Sequence, residues 1–269
     1  MLISGRKQWG AQKPPVGVQI NWGHSLARRL VGVWLFNSPF DSILQEKLAF
    51  SAGAKIGVNV GAHGLVCTAT DDGAEVTTPT RLRLQRPLTV AVKVAIVGTP
   101  TVNGSFFGAV YDNTGVAPYT CYQLGVDVLG NYIFNFNNGA YANALSTVAP
   151  VIGARDILIG RIAETENLET LWQNRKEIGS NTVSVASIAY AASSLITAGD
   201  YTGISRNSNV VVEWGIIWNR YLLNVDLLAL VDNPFALFMP QSPRLRYVNA
   251  VAAAPEIGLM ASRQMVVWP

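Results

Sequence analysis

Between residues 211 and 238 the string VVEWGIIWNRYLLNVDLLALVDNPFALF changes period once, which requires a fold where a buried strand runs into a short helix. Val210, Val212 and the residues from Trp214 through Ile216, Ile217 and Trp218 are β-branched or aromatic, as buried strands are. Leu222, Leu223, Leu227, Leu228 and Leu230 then fall at helical spacing, with Asn224 placed as N-cap and Asp226 in the first turn. The spacing predicts a helix over 222–232, ended by Pro234, which disfavours helical geometry in the residue before it. Everywhere else the pattern is strand-like. From Ile20 onward short apolar runs alternate with Gly, Asn, Pro and Thr at the spacing of about 8–12 residues expected of a sandwich. Tyr132, Phe134 and Phe136 share one strand face with Ile133 opposite, and Asn137–Gly139 signals a turn. SILQEKLAF (Ser42–Phe50) is the one other helical candidate.

Four segments, in order, resemble a known family. INWGHSLARRLVGVWLFN (Ile20–Asn37) resembles the opening strand of laminin-G-like, concanavalin-type jelly rolls. TATDDGAEVTTPTRLRLQRPLTVAVKV (Thr68–Val94) resembles their centre. LETLWQNRKEIGS (Leu168–Ser180) resembles their late hairpin, with Arg175 where glycine is usual, and the 211–238 string resembles their closing strand and helix. The likeness is greatest to the versions in bacteriophage virion proteins. It implies an all-β, concanavalin-like (laminin-G-like) jelly-roll sandwich of two antiparallel sheets, with one short C-terminal helix and extended terminal arms. The division expected is an N-terminal arm over 1–19, the sandwich over 20–238 and a C-terminal arm over 239–269.

Composition agrees with a large sandwich or an assembly subunit, since 49% of the 269 residues are hydrophobic and only 14% charged. Both inner sheet faces consume apolar residues, and subunit contacts remove the need for surface charge. A net charge of +3 is too small and dispersed for a nucleic-acid surface. Arg28 and Arg29, and Arg81, Arg83 and Arg86, form local basic clusters. Alternation in RLRL places Arg81 and Arg83 on one strand face, read first as solvated and second as a polyanion site. Ile178–Gly199 carries no charge, but its polar residues and Val/Ile pattern suit strands, and no membrane span is expected. The N-terminus lacks the apolar core of a secretory signal, so synthesis in the cytoplasm or carriage on a particle assembled there is expected. Cys67 and Cys121 show no CxxC spacing; free buried thiols are the default, and a disulfide stays open.

No catalytic motif stands out. His24 and His63, the two histidines, form no metal-binding pattern, and His24 reads as a loop or packing residue. Glu164, Glu166 and Glu169 in ETENLE approach the E-x-D-x-x-E signature of jelly-roll β-glucan hydrolases, which need two carboxylates about 5–5.5 Å apart. The central Asp is replaced, and the resemblance makes ETEN a solvent-exposed hairpin tip, so the structural reading is preferred. No nucleophile elbow, P-loop or dinucleotide fingerprint appears, and a protein without enzymatic activity is expected. Asp71 and Asp72 match carboxylates that help bind calcium in some relatives, but the remaining ligands cannot be located, so no cofactor is expected beyond that weak calcium candidate. Tyr111, Tyr119, Tyr122, Tyr132 and Tyr141 lie in an Asn/Gly-rich stretch where lectin-like loops present rings to sugars; the plainer reading is core or interface.

The segment after Phe238 keeps Leu245, Tyr247, Val248, Leu259, Met260, Val266, Val267 and Trp268, too apolar for a polar linker. Such a tail buries itself on the sandwich or on a neighbour. The resemblance therefore favours a virion structural subunit, a capsid decoration or tail-associated protein. It would be held to other virion proteins and to its own copies, as trimers or dimers, through Trp9, Leu245, Tyr247, Met260, Val267 and Trp268. The alternative is a carbohydrate- or receptor-binding module of a phage adhesion device or bacterial surface protein, with a host glycan as partner.

Overall fold

The computed structural model describes residues 13–15, 18–38, 43–44, 46–51, 53–101, 103–111, 120–137, 141–165, 168–182, 187–200 and 206–240, excluding the side chains at 137, 141, 142 and 240. In chain order the strands are β1 (Val18–Ile20), β2 (Leu30–Trp34), β3 (Ala49–Phe50), β4 (Lys55–Asn59), β5 (Ala62–Cys67), β6 (Gly73–Thr77), β7 (Leu88–Ile96) and β8 (Ser105–Val110). They continue as β9 (Thr120–Val126), β10 (Tyr132–Asn137), β11 (Tyr141–Leu145), β12 (Arg155–Ile162), β13 (Leu168–Gln173), β14 (Lys176–Thr182), β15 (Leu195–Gly199) and β16 (Val210–Trp218). Helix α1 (Asn224–Asp232) and β17 (Phe238–Pro240) close the chain's described part.

The strands form two large antiparallel sheets, ordered β11-β10-β9-β8-β15-β6-β3 and β14-β13-β12-β7-β16-β5-β4, with β2 also paired to β16. A two-stranded ribbon, β1 with β17, brings Val18–Ile20 against Phe238–Pro240. This is the jelly-roll-like sandwich that the sequence implies. Phe106, Phe107, Tyr122, Phe134 and Phe136 from the seven-stranded sheet pack between the sheets against Val90, Val92, Val94, Leu158 and Val212 from the eight-stranded one. Contact there is close enough that a Cβ at Gly160 would lie 2.3 Å from the Phe134 ring.

The eight-stranded sheet is buried on its outer face too. Ile159, Trp214, Ile216 and Trp218 pack there with Leu26, Leu227, Leu230, Phe235 and Phe238. Burial on both faces explains why β16 reads as a continuous apolar run rather than an alternating one. Its one charged residue, Glu213, sits at a bulge between Val212 and Trp214 and pairs with Arg155 at 3.0 Å and Lys93 at 3.4 Å.

Helix α1 forms where predicted, but one residue earlier is its cap. Leu223 occupies the N-cap position, and the Asp226 carboxylate accepts its N–H at 3.3 Å. Asn224 is instead recruited by buried Arg161, whose Nη1 donates to Asn224 Oδ1 at 2.9 Å and Leu222 O at 2.7 Å. Arg161 Nε donates to Thr170 Oγ1, and its guanidinium lies over the rings of Trp172 and Tyr221.

Two local expectations are corrected. The described residues of 42–50 form a turn at Ile43–Leu44 and β3, not a helix. RLRL is not a strand: Thr80–Leu82 makes a 3₁₀ turn, although Leu82 and Leu84 are buried as alternation required. Arg81 stays exposed while it is engaged by Glu46 and by Leu44 O. Arg175 replaces glycine in the β13–β14 turn without strain, because the positive φ of 53° falls on Asn174 instead. Both cysteines are free and buried. Among the described residues no helix is long and apolar enough to cross a membrane.

Candidate functional site

The outer face of the seven-stranded sheet departs from ordinary satisfaction of polar groups. Antiparallel registers align Asn143 with Asn135, Asn135 with Gln123, Gln123 with Gly108, Gly108 with Thr197, and Thr197 with Glu75. Alternation puts all of them opposite the core-facing Phe134, Leu124, Ala109 and Ile196. The result is a polar row crossing six strands, with glycine at its middle.

Most of that row lacks partners. Asn143 Oδ1, Asn135 Oδ1, Gln123 Nε2 and Thr197 Oγ1 are buried atoms with no hydrogen bond, as are Ser105 Oγ and Thr120 Oγ1 on the same face. Buried polar atoms are nearly always paired, and one left unpaired costs about 1–3 kcal/mol. Six on one sheet face lack a partner among the described residues. Gln123 is 4% exposed and Thr197 0%, whereas Asn135 and Asn143 at the β10–β11 edge are half-buried. The row is therefore most open at the two asparagines. Leu145, 53% exposed and two residues along β11 from Asn143, provides apolar surface beside them, paired with Ile133. The edge is tied to the other sheet where Asn181 Nδ2 donates to Asn143 O at 3.0 Å. Carboxamides both donate and accept, as sugar hydroxyls do, and an aliphatic neighbour suits the C–H face of a pyranose ring.

The residues singled out from sequence fall elsewhere. Tyr122 and Tyr132 are corrected as glycan candidates, because both are fully buried on core-facing positions. Their hydroxyls donate to Leu82 O at 3.0 Å and Asp156 Oδ2 at 2.6 Å. Tyr111 is half-buried against the inter-sheet core. Tyr119 and the side chain of Tyr141 lie outside the described residues, as do Trp9, Leu245, Tyr247, Met260, Val267 and Trp268. His24 caps the 3₁₀ turn at Ser25–Ala27, its Nδ1 accepting the Leu26 N–H.

The acidic candidates do not form a cleft. Glu164 is exposed beyond the end of β12, Glu166 lies outside the described residues, and Glu169 is fully buried on the inner face of β13. Burial pushes the Glu169 pKa well above the usual carboxylate range, which the Ala144 backbone N–H offsets only in part. Asp72 Oδ2 is occupied by the N–H groups of Thr68 and Ala69, at 3.1 and 2.8 Å, and Asp71 holds a positive φ of 61° in the same turn. Among the described residues no group of three or more His, Cys, Asp or Glu is placed to hold a metal ion. One exposed ring was missed by the sequence reading: Trp22, 62% exposed, lies between β1 and the turn at Ser25–Ala27, on the far side of the sandwich.

No family model matches the chain, and no curated protein matches it either. Solved structures do share the fold. A Trypanosoma rangeli sialidase in complex with sialic acid is 16% identical, with a TM-score of 0.56 over 76% of this chain and 33% of that one. A tryptophan-to-alanine variant of HCR/D is 11% identical, with a TM-score of 0.58 over 76% of this chain and 52% of that one. The chain thus spans about a third of the sialidase and about half of HCR/D, and the likeness shows the fold alone. It also corrects the expectation of a protein without enzymatic activity. Structures that share this fold include enzymes, but the likeness covers about a third of them and carries no activity over to this chain.

Proposed function

We propose that this protein is a carbohydrate- or receptor-binding β-sandwich module whose site is the outer face of the seven-stranded sheet, entered at Asn135 and Asn143. The observation that carries the reading is the row of unpaired polar atoms from Asn143 through Asn135 and Gln123 to Thr197. Folding leaves these groups desolvated without partners, and a ligand's hydroxyls would supply the missing ones. The sandwich likeness to a sialidase solved with sialic acid supports a sugar as ligand.

The test is titration of the full-length protein against a glycan panel, wild type beside the double variant Asn135→Ala/Asn143→Ala and the single variant Trp22→Ala. Binding that is lost in the double variant and kept by Trp22→Ala supports the reading. Loss in Trp22→Ala alone moves the site to the opposite side of the sandwich and defeats it.

The virion-subunit reading rests on the sequence resemblance alone, and its contact residues lie outside the described part. Light scattering of the full chain and of residues 18–240, which keep the β1–β17 ribbon, tests it: an oligomeric full chain with a monomeric core favours assembly through the arms.

A further inference from the structure

We propose that the ligand of the Asn135–Asn143 face is an uncharged sugar, and that sialylated glycans are excluded from it. This rests on the glycan-binding reading above. Of all the residues in the seven strands of that sheet, Glu75 alone carries a charge. The other sheet differs sharply, with Arg155, Asp156, Arg161, Lys176, Glu177 and Glu213 on three of its strands. Between Lys93 and Arg155 the sequence has no lysine, arginine or histidine, and this stretch builds β8, β9, β10 and β11 together with their connections. The two loops flanking the open edge, 127–131 and 146–154, contribute one charge between them, the carboxylate of Asp127. Across the edge β14 meets Asn143 with neutral Asn181, and its two charged residues, Lys176 and Glu177, lie at its other end.

An acidic sugar brings a carboxylate that must keep its water or gain a cation. Recognition of that group ordinarily uses arginine, whose paired N–H donors match the two oxygens. Desolvating the carboxylate against amides, with no cation among the described residues of that sheet face, costs more than the amides return. The carboxamides of Asn135, Asn143 and Gln123 are instead matched to neutral hydroxyls, each of which donates once and accepts. The same absence of charge makes binding insensitive to salt, since no ion pair is available to screen. The sialidase and this chain then share a sandwich but not a ligand charge.

The experiment uses the full chain on an array that presents each glycan core both uncapped and sialylated, at low and at high salt, with Asn135→Ala/Asn143→Ala alongside. Thermal unfolding of the double variant checks that it remains folded. The expected result is binding to uncapped cores, at least tenfold weaker binding to their sialylated forms, no salt dependence, and loss in the double variant. Preference for sialylated forms that the double variant abolishes overturns the inference and leaves the glycan-binding site in place. Binding of uncapped cores that the double variant retains overturns the assignment to this face. No binding to either class overturns the inference and the functional reading together.

Discussion

Asn135 on β10 and Asn143 on β11 stand directly opposite one another, and each keeps a carboxamide oxygen with no hydrogen-bond partner. Cross-strand neighbours of this kind are close enough to bond with each other or with water. A sheet selected for stability alone would carry threonine or valine there. Violations of local satisfaction concentrate at functional sites, where stability is given up for binding. The row's alignment over strands far apart in sequence makes the pair part of one surface rather than a local accident.

Thr197 tests this trade directly. Its side chain is fully buried in the row between Gly108 and Glu75, and its hydroxyl is unpaired. Thr197→Val keeps the shape and removes the unpaired group, so the free protein should gain about 1 kcal/mol by denaturant unfolding, with an unchanged slope. A loss of similar size would mean that the hydroxyl has a partner and that the row is structural.

Two buried carboxyls set a pH dependence. Burial raises Glu169 well above its ordinary value, and raises Asp200 to about 6 even though its Oδ1 accepts the Ser105 N–H. Both groups hold their protons longer in the folded chain than in the unfolded one. Their favourable contribution is complete below about pH 4, where both states are protonated. It declines as pH rises through the unfolded pKa and is gone above the folded one. Stability of the wild type should therefore fall as pH rises from about 4, through about 6 for Asp200 and through the raised pKa of Glu169. Glu169→Gln, neutral at every pH, should flatten the profile, matching wild type near pH 4 and gaining on it as pH rises. A variant profile parallel to wild type removes Glu169 as the cause.

How much of this was legible in the sequence depends on range. The strand–helix switch at 210–232 was, because period and proline are local signals and β16 and α1 follow them. Burial of Tyr132 was also legible, since it shares a strand face with Phe134 and Phe136; only its loop-like neighbourhood suggested sugar binding. The RLRL run misled because leucines alternating with arginines suit both a strand edge and a 3₁₀ turn that caps the core. The Asn224 cap failed because a distant arginine, Arg161, competes for its side chain. The polar row was hidden for a stronger reason. Residues 75, 108, 123, 135, 143 and 197 become neighbours only through strand register, which no local pattern encodes. The one available signal was the run from 94 to 154, which lacks any basic residue.

Asp72 has a structural task that predicts its behaviour toward metal. One carboxylate oxygen already accepts two backbone N–H groups, from Thr68 and Ala69, and so pins the turn that leads into β6. Asp72→Ala should destabilise the fold by about 1–2 kcal/mol through the lost capping bonds. Thermal unfolding of the wild type with and without a calcium chelator separates the two roles. An unchanged midpoint leaves Asp72 as a turn-former, and a fall of several degrees restores it as a calcium ligand.

Arg161 carries the largest expected loss. It is 1% exposed and binds Thr170 Oγ1, Leu222 O and Asn224 Oδ1 while lying over the rings of Trp172 and Tyr221. These contacts fix the start of α1 onto the outer face of the eight-stranded sheet. Arg161→Lys keeps the charge but gives up the planar fork, so it cannot reach three acceptors in these directions at once. At least one charge-assisted bond goes, and the ammonium, more strongly hydrated than a guanidinium, is harder to bury. The expected cost is about 2–3 kcal/mol by denaturant unfolding, with α1 amides losing hydrogen-exchange protection before those of β16. The asparagine face lies on the other sheet, so glycan affinity of the folded fraction should stay unchanged. A lysine variant as stable as wild type would show that α1 is held by its leucines alone.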